Sequence, residues 1–209
     1  MSSEKSAAET HEEHWEIRFG ITLAIFAAAL AINDLGAGKY GEDEIKETNE
    51  KSNSYMWYQS KGIKETLAEG QRDLLRTLLK ADAIATDKVA DLNQVANKLN
   101  AQVERYKKEK QEILNGSAAV GKENWVQEVD GKMGQIIGSK EREKVIERLS
   151  NAGDVFDLGT LCLQLCLVLG AIGLLLKIPQ GRKLTFATVL TLGSIGTLFC
   201  IRAYMIVLM

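Results

Sequence analysis

The sequence predicts an all-α integral membrane protein: three transmembrane helices, with an extramembrane antiparallel, coiled-coil-like helical hairpin between the first and the second. Three observations carry this reading. Residues 19–33, 158–176 and 184–201 contain no formal charge, and about 20 apolar residues cross the hydrocarbon core as a helix. The segment between the first two stretches is rich in Lys, Glu, Gln and Asn and has an apolar period alternating by four and three. A single proline among 209 residues, with few β-branched runs outside the apolar stretches, points to helix throughout and to no strands. The 26 Lys and Arg nearly balance the 28 Asp and Glu, so average hydropathy conceals the membrane segments and nothing argues for nucleic acid.

Residues 1–14 read as a polar tail and 15–35 as the first span. Its charge-free core is short enough for a secretory signal, and Ala29-Leu30-Ala31 has the small-residue look of a cleavage site. The flank is acidic, however (Glu4, Glu9, Glu12, Glu13, Glu16), which predicts an uncleaved signal anchor with Trp15 at the interface and Arg18 snorkelling. Residues 36–154 form the extramembrane domain, 155–176 the second span, 177–183 a basic connection and 184–209 the third span. Lys177, Arg182 and Lys183 crowd that short connection, and basic loops stay cytoplasmic. The N-terminus is then inside and the helical domain outside. Lys140, Arg142, Lys144 and Arg148 oppose this from the other side of the second span.

In the extramembrane domain, Ala85, Val89, Leu92, Ala96, Leu99, Val103, Tyr106, Lys110 and Ile113 form a heptad seam, Lys110 being the non-apolar member. Upstream, Leu67, Gln71, Leu74, Leu78, Ala81 and Ala85 keep the spacing until two fours fall in succession, the mark of a stutter or a change of helix. A single rod over 42–114 would be on the order of 110 Å long at about 1.5 Å per residue, and the glycine-interrupted 115–154 would have to return nearly extended. A hairpin breaking at 81–86 avoids this; a long rod in a parallel oligomer is the alternative. Trp125, Val126, Val129, Met133, Ile136 and Ile137 suggest one face of a short helix, lying on the bilayer, covering the hairpin base or serving as a small core helix.

Tyr55, Trp57 and Tyr58 are interleaved with Gln59, Lys61 and Lys64. Rings with amide and amine donors can bind a polar ligand or clamp a neighbouring helix, and aromatics at helical spacing usually serve as core. The run Trp57-Tyr58-Gln59-Ser60-Lys61-Gly62-Ile63-Lys64, preceded by Asn49 and Asn53, resembles the WxYYQAKxIK-like signature of a bacterial family of small membrane proteins known as domain of unknown function 4337. The run from Tyr106 to Ile113, and His14-Trp15 before the first span, are similar to that family too. Ser60 and Gly62 depart from its usual Ala and Ser, and the glycine-rich 116–138 looks inserted. The resemblance implies a membrane-anchored helical hairpin and supplies no activity. Together with the apolar spans, it places the chain in a bacterial inner membrane.

Other chemistry is thin. His11 and His14 lack the i, i+4 spacing of a helical zinc site, and no third His exists. Cys162, Cys166 and Cys200 all fall in the spans as small apolar residues. No metal, no cofactor and no enzymatic activity are expected. Small residues stripe every span: Gly20, Ala24, Ala28 and Ala31 on the first; Gly159, Cys162, Cys166, Gly170 and Gly173 on the second; Gly193, Gly196, Cys200 and Ala203 on the third. Such stripes let helices approach closely in lipid. The expected role is a non-enzymatic scaffold, a homo-oligomer or an accessory subunit alongside other membrane-protein subunits, with the lipid bilayer as its surroundings and no nucleic acid. A channel is the competing class, for which Thr185, Thr188, Thr191, Ser194 and Thr197 offer a drifting polar face. Folding the last two spans about Gln180 sets Arg202 near Asp157, predicting a structural ion pair with Asp154 as the alternative acceptor.

Overall fold

The computed structural model describes the backbone of residues 2–209 and side chains from residue 14 onward. The chain is almost wholly helical: α1 (Ser2–Lys80), α2 (Val89–Asn115), the single turn α3 (Ser117–Val120), two-residue strands β1 (Glu128–Val129) and β2 (Lys132–Met133), α4 (Ser139–Leu175) and α5 (Pro179–Leu208). Three of these, α1, α4 and α5, are long and apolar enough to cross a membrane. The helices overrun the sequence-based borders. Both α1 and α4 run unbroken beyond the apolar stretches, because Lys, Glu and Gln are good helix formers. Helix α5 begins at Pro179, inside the expected 177–183 loop, since proline's fixed φ suits the first helical position.

Two compact units result: Met1–Ile45 with Glu147–Met209, and Lys46–Ile146. The first, apolar unit packs side chains of α1 onto glycines of α4 and α5. A Cβ on Gly193 would collide with the Phe26 ring and one on Gly170 with Leu23, while one on Gly173 would lie 2.7 Å from Phe19. Phe19, Phe26, Leu163, Cys166 and Val189 form the buried core there. Trp15 and Phe19 meet the Phe186 ring edge-on at 5.7 and 5.0 Å, and the Arg18 guanidinium lies 5.5 Å from the Trp15 ring centre. A second cluster joins Ala152, Phe156 and Ala203 to Tyr40 and Tyr204, whose hydroxyl donates to the Ile32 carbonyl at 2.9 Å. Between the clusters Asn33 is fully buried and donates to the Phe156 carbonyl and the Thr160 hydroxyl at 3.0 and 2.7 Å; the Thr160 hydroxyl lies 3.1 Å from Asp34 Oδ1. Gly159 makes room for that amide, since a Cβ would stand 2.8 Å from Asn33 Oδ1.

In the second, polar unit α1 ends at Lys80, Asp82 takes a left-handed φ of 48°, and a 3-10 turn over Thr86–Lys88 leads into α2. Arg72, near the end of α1, donates to Asn100 in the middle of α2, whereas Glu65 and Lys61, further back along α1, pair with Lys110 and Glu109 toward the far end of α2. The seam expected on α2 is inward at Ala96, Val103 and Ile113, but the seam expected on α1 is displaced. Leu67 and Leu74 are exposed, and Glu65, Ala68, Arg72 and Leu75 face inward instead. Apolar spacing misplaced it because two of the inward residues are charged and find partners on α2.

Nor is 125–137 a helix. Asp130 and Gly131, at φ 50° and 76°, turn β1 back onto β2 with Glu128 opposite Met133. An Asp-Gly pair with both residues at positive φ is a favoured two-residue hairpin turn, so the expectation of no strands was wrong at this one place. Gly134, at φ 80°, accepts the Trp125 ring where a Cβ would stand 2.6 Å from it.

Gly193→Leu should destabilise the apolar unit by about 1–3 kcal/mol through overpacking. Phe26→Ala in the same chain should recover part of that loss, read as a less-than-additive fall in thermal midpoint in detergent.

Candidate functional site

The polar unit is organised by carboxylates that α2 holds out of water. Glu109, 1% exposed, receives Lys61 from α1 at 2.5 Å and Arg105 from its own helix at 2.8 Å. One turn on, fully buried Glu112 accepts the Ser117 hydroxyl at 2.7 Å on one oxygen, and the backbone N–H groups of Val126 and Gln127, both at 3.1 Å, on the other. Ser117 in turn exchanges bonds with Ile136, and its carbonyl takes the Trp125 indole N–H at 2.7 Å. Residues 116–138 are thereby pinned to α2 although they form almost no regular structure. Buried charge is tolerable where it is paired or hydrogen-bonded, and the two carboxylates divide these means. Glu109 is held by two cations, although among the described residues its Oε2 lacks a hydrogen bond of good geometry, and Glu112 by three hydrogen bonds.

The aromatic and amine residues singled out in the sequence separate into two faces. Trp57, Tyr58 and Lys61 turn toward α2: Lys61 lies 5.8 Å from the Trp57 ring centre, and Lys110 lies 5.0 Å from that of Tyr58 while it binds Glu65 at 2.9 Å. Gln59 and Lys64 are exposed, and Tyr55 and Trp57 are each more than a third exposed, at 38% and 37%. Trp57 borders two open hollows. One of about 350 Å³ is shared with Lys61, Arg105, Glu109, Gln127 and Glu128; the other, about 240 Å³, is shared with Asn53, Ser54, Gln135 and Arg142. Arg142 is held by Glu47 at 2.6 Å, and Lys51 by Glu143 at 2.8 Å. Glu65, Glu109 and Glu112 escaped the sequence reading. The only hint was Lys110 inside an apolar seam, since a lysine there calls for an acidic partner on the facing helix.

In the apolar unit the small residues of α4 and α5 are spent within the chain. Gly159 and Gly196 approach each other, a Cβ on either falling 3.2–3.3 Å from the other's carbonyl oxygen, and Gly196 also meets Cys162 and Leu163. Gly170, Gly173 and Gly193 seat α1 side chains, the Cys166 thiol donates to the Val189 carbonyl at 3.3 Å, and Cys200 is buried. The stripe on α1 differs: Gly20, Ala24, Ala28 and Ala31 are exposed, and nothing lies within 4 Å of a Cβ built on Gly20.

The Asp157–Arg202 pair does not form. Both side chains are exposed, and among the described residues no ion pair of 4.0 Å or less joins Arg202 to Asp157 or Asp154. The seam here belongs to Phe156 and Ala203, and each charge sits one residue off it, on the outer surface. His11 lies outside the residues whose side chains are described; among those described, no group of three or more His, Cys, Asp or Glu could hold a metal ion.

The sequence model of a family described as domain of unknown function (DUF4337) matches residues 15–206. No curated protein and no solved structure matches significantly.

The hydrogen bond from Lys110 to Glu65 raises the lysine above its ordinary value, against the opposing effect of burial. A raised lysine contributes stability fully below its unfolded value near 10.5 and loses it as pH climbs through the folded one. Glu65→Gln should cost about 1–2 kcal/mol at neutral pH and flatten the alkaline fall in stability, followed by thermal melts from pH 7 to 11.5.

Proposed function

The chain belongs to the DUF4337 family, and we propose that it is a non-enzymatic membrane scaffold that self-associates through the lipid-facing side of α1. The observation that carries this is the contrast between the small-residue stripes. Those of α4 and α5 are filled by the chain's own side chains, whereas Gly20, Ala24, Ala28 and Ala31 lie open on α1. Without a hydrophobic drive between helices in lipid, close backbone approach along such a stripe supplies the attraction. A second copy presents the same stripe, as a two-fold contact requires. A channel fits less well: the hydroxyls of Thr185, Thr188, Thr191 and Thr197 bond to carbonyls of their own helix and leave little polar surface for a conducting face.

In this reading α1, α4 and α5 cross a bacterial inner membrane, and the polar unit stands outside as an antiparallel hairpin of α1 against α2. The pairing of 72 with 100, 65 with 110 and 61 with 109 supports the hairpin. Exposed Lys177 and Lys183 support a cytoplasmic connection between α4 and α5. Arg182 contributes less to that bias, being buried with its Nε donating to the Leu176 carbonyl.

Native mass spectrometry of the full chain released from detergent should show a homo-oligomer. Ala24→Leu combined with Gly20→Leu should shift it to monomer while the thermal midpoint of the protomer stays within a few degrees, because no side chain of the same chain occupies that space. A monomeric wild type rejects the scaffold. Topology is checked separately by an impermeant maleimide on intact cells: a cysteine at exposed Ala118 should react and one at Gln180 should not, and the reverse pattern inverts the orientation.

A further inference from the structure

The apolar stripe that spacing placed between α1 and α2 lies uncovered on α1. Met56, Ile63, Leu67 and Leu74 are 61–70% exposed, and at 3.6 residues per turn they fall within about 20° of one line along the helix. Ser60 and Gly70 complete that line, so that positions 56, 60, 63, 67, 70 and 74 alternate by four and three. This is a second heptad, on the side of α1 away from Lys61, Glu65 and Arg72, which meet α2. Helix α1 therefore carries two seams, and α2 fills one of them.

Period, relief, charge and size identify what fills the other. A heptad matches a second helix laid alongside, with side chains of each entering gaps of the other. The stripe offers both parts. Beside the ridge of Ile63 and Leu67 runs an open groove of about 610 Å³, bordered by Gln59, Gly62 and Thr66. Gly70 adds a notch, since among the described residues nothing lies within 4 Å of a Cβ built there. Ridge and groove on one surface suit a two-fold contact, in which a patch meets itself. Such a contact also forbids any residue that repels its own copy, and none of the six seam positions is charged. In a parallel pair the flanking residues meet as Gln59 with Lys64, Thr66 with Gln71 and Asp73 with Leu78, so no like charges face each other. Size separates a second copy from a soluble partner. Four large apolar side chains along about 27 Å of helix fall short of the roughly 800 Å² per partner that a free-standing complex buries. Between copies confined to one membrane, with α1 running in the same sense, raised effective concentration makes up the difference.

We infer that the outer stripe of α1 from Met56 to Leu74 is a dimer seam that packs, parallel and in register, against the same stripe of a second copy. The inference rests on the self-association proposed above and adds to it a contact within the polar unit.

The test uses the full chain in membranes, with single substitutions Met56→Cys, Leu67→Cys, Leu74→Cys and, on an exposed position of α2, Gln94→Cys, under mild oxidation by copper phenanthroline. The wild type, whose three cysteines lie in the apolar unit, sets the background. Disulfide-linked dimers are expected at 56, 67 and 74, several-fold above the level at 94, because a parallel pair brings each seam residue to its own copy. Leu67→Lys sets like charges face to face and should weaken the dimer about tenfold on dilution in detergent. The protomer should keep its thermal midpoint, since the altered side chain is exposed. Linking no stronger at the seam than at 94 overturns the inference. So does linking at only one of the three seam positions, the sign of an antiparallel pair. The two readings fail separately. A wild type that is oligomeric by native mass spectrometry but does not link at the seam removes the seam and leaves the membrane contact. Seam linking that survives Gly20→Leu with Ala24→Leu at full strength keeps the seam and removes the membrane stripe as the source of association.

Discussion

Two carboxylates one turn apart on α2 hold the polar unit together. Glu109 draws in a lysine from α1, and Glu112 draws in two backbone amides and a hydroxyl from the irregular segment after Gly116. Neither is a source of stability in the way a leucine would be, because taking a carboxylate out of water is costly and its partners mainly offset that cost. What the pair supplies is specificity. An apolar seam between α1 and α2 could slide by a turn with modest loss, whereas sliding Glu109 away from Lys61 strands a charge. The same logic explains how a loop with four glycines at positive φ holds one conformation: a buried acceptor on the neighbouring helix defines where its amides must be.

This accounts for how far the sequence could be read. The three long apolar helices, the break after Lys80 and the α2 seam at Ala96, Val103 and Ile113 were legible, since each rests on apolar composition or period. The inward face of α1 was not. Lys61, Glu65 and Arg72 face inward because of what they meet on α2, and a search that counts only apolar positions moves the stripe onto Leu67 and Leu74. The β1–β2 turn was legible in principle from Asp130-Gly131, but the flanking Trp125, Val126, Val129 and Met133 also suit a helical face, and local turn chemistry prevailed over that period. The Trp57 cluster was recognised as residues, whereas its partners Glu109 and Gln127 lie far along the chain and could only be joined to it by folding.

The expected Asp157–Arg202 pair failed for a related reason. Level along two helices is set by their connection, but facing direction is set by which neighbours are buried, and Phe156 and Ala203 took the seam. In the proposed membrane arrangement an arginine near the end of a span reaches the interface without a partner, so the unpaired arrangement costs little there. Asn33, deeper among α1 and α4, had no such escape and is enclosed by Gly159, Phe156 and Thr160.

That enclosure bears on how the chain is made. The Asn33 amide nitrogen finds its acceptors only on α4, which is synthesised more than a hundred residues later. In the proposed membrane arrangement α1 would until then carry a bare amide in or near hydrocarbon, where an unpaired polar group is penalised. The helix therefore has reason to remain shallow, or in the company of the insertion machinery, while the polar unit is being translated. Its final depth is set when Thr160 and the Phe156 carbonyl arrive. If the three helices cross a membrane as proposed, biogenesis of the apolar unit is coupled end to end: the first helix to enter would be among the last to be fixed.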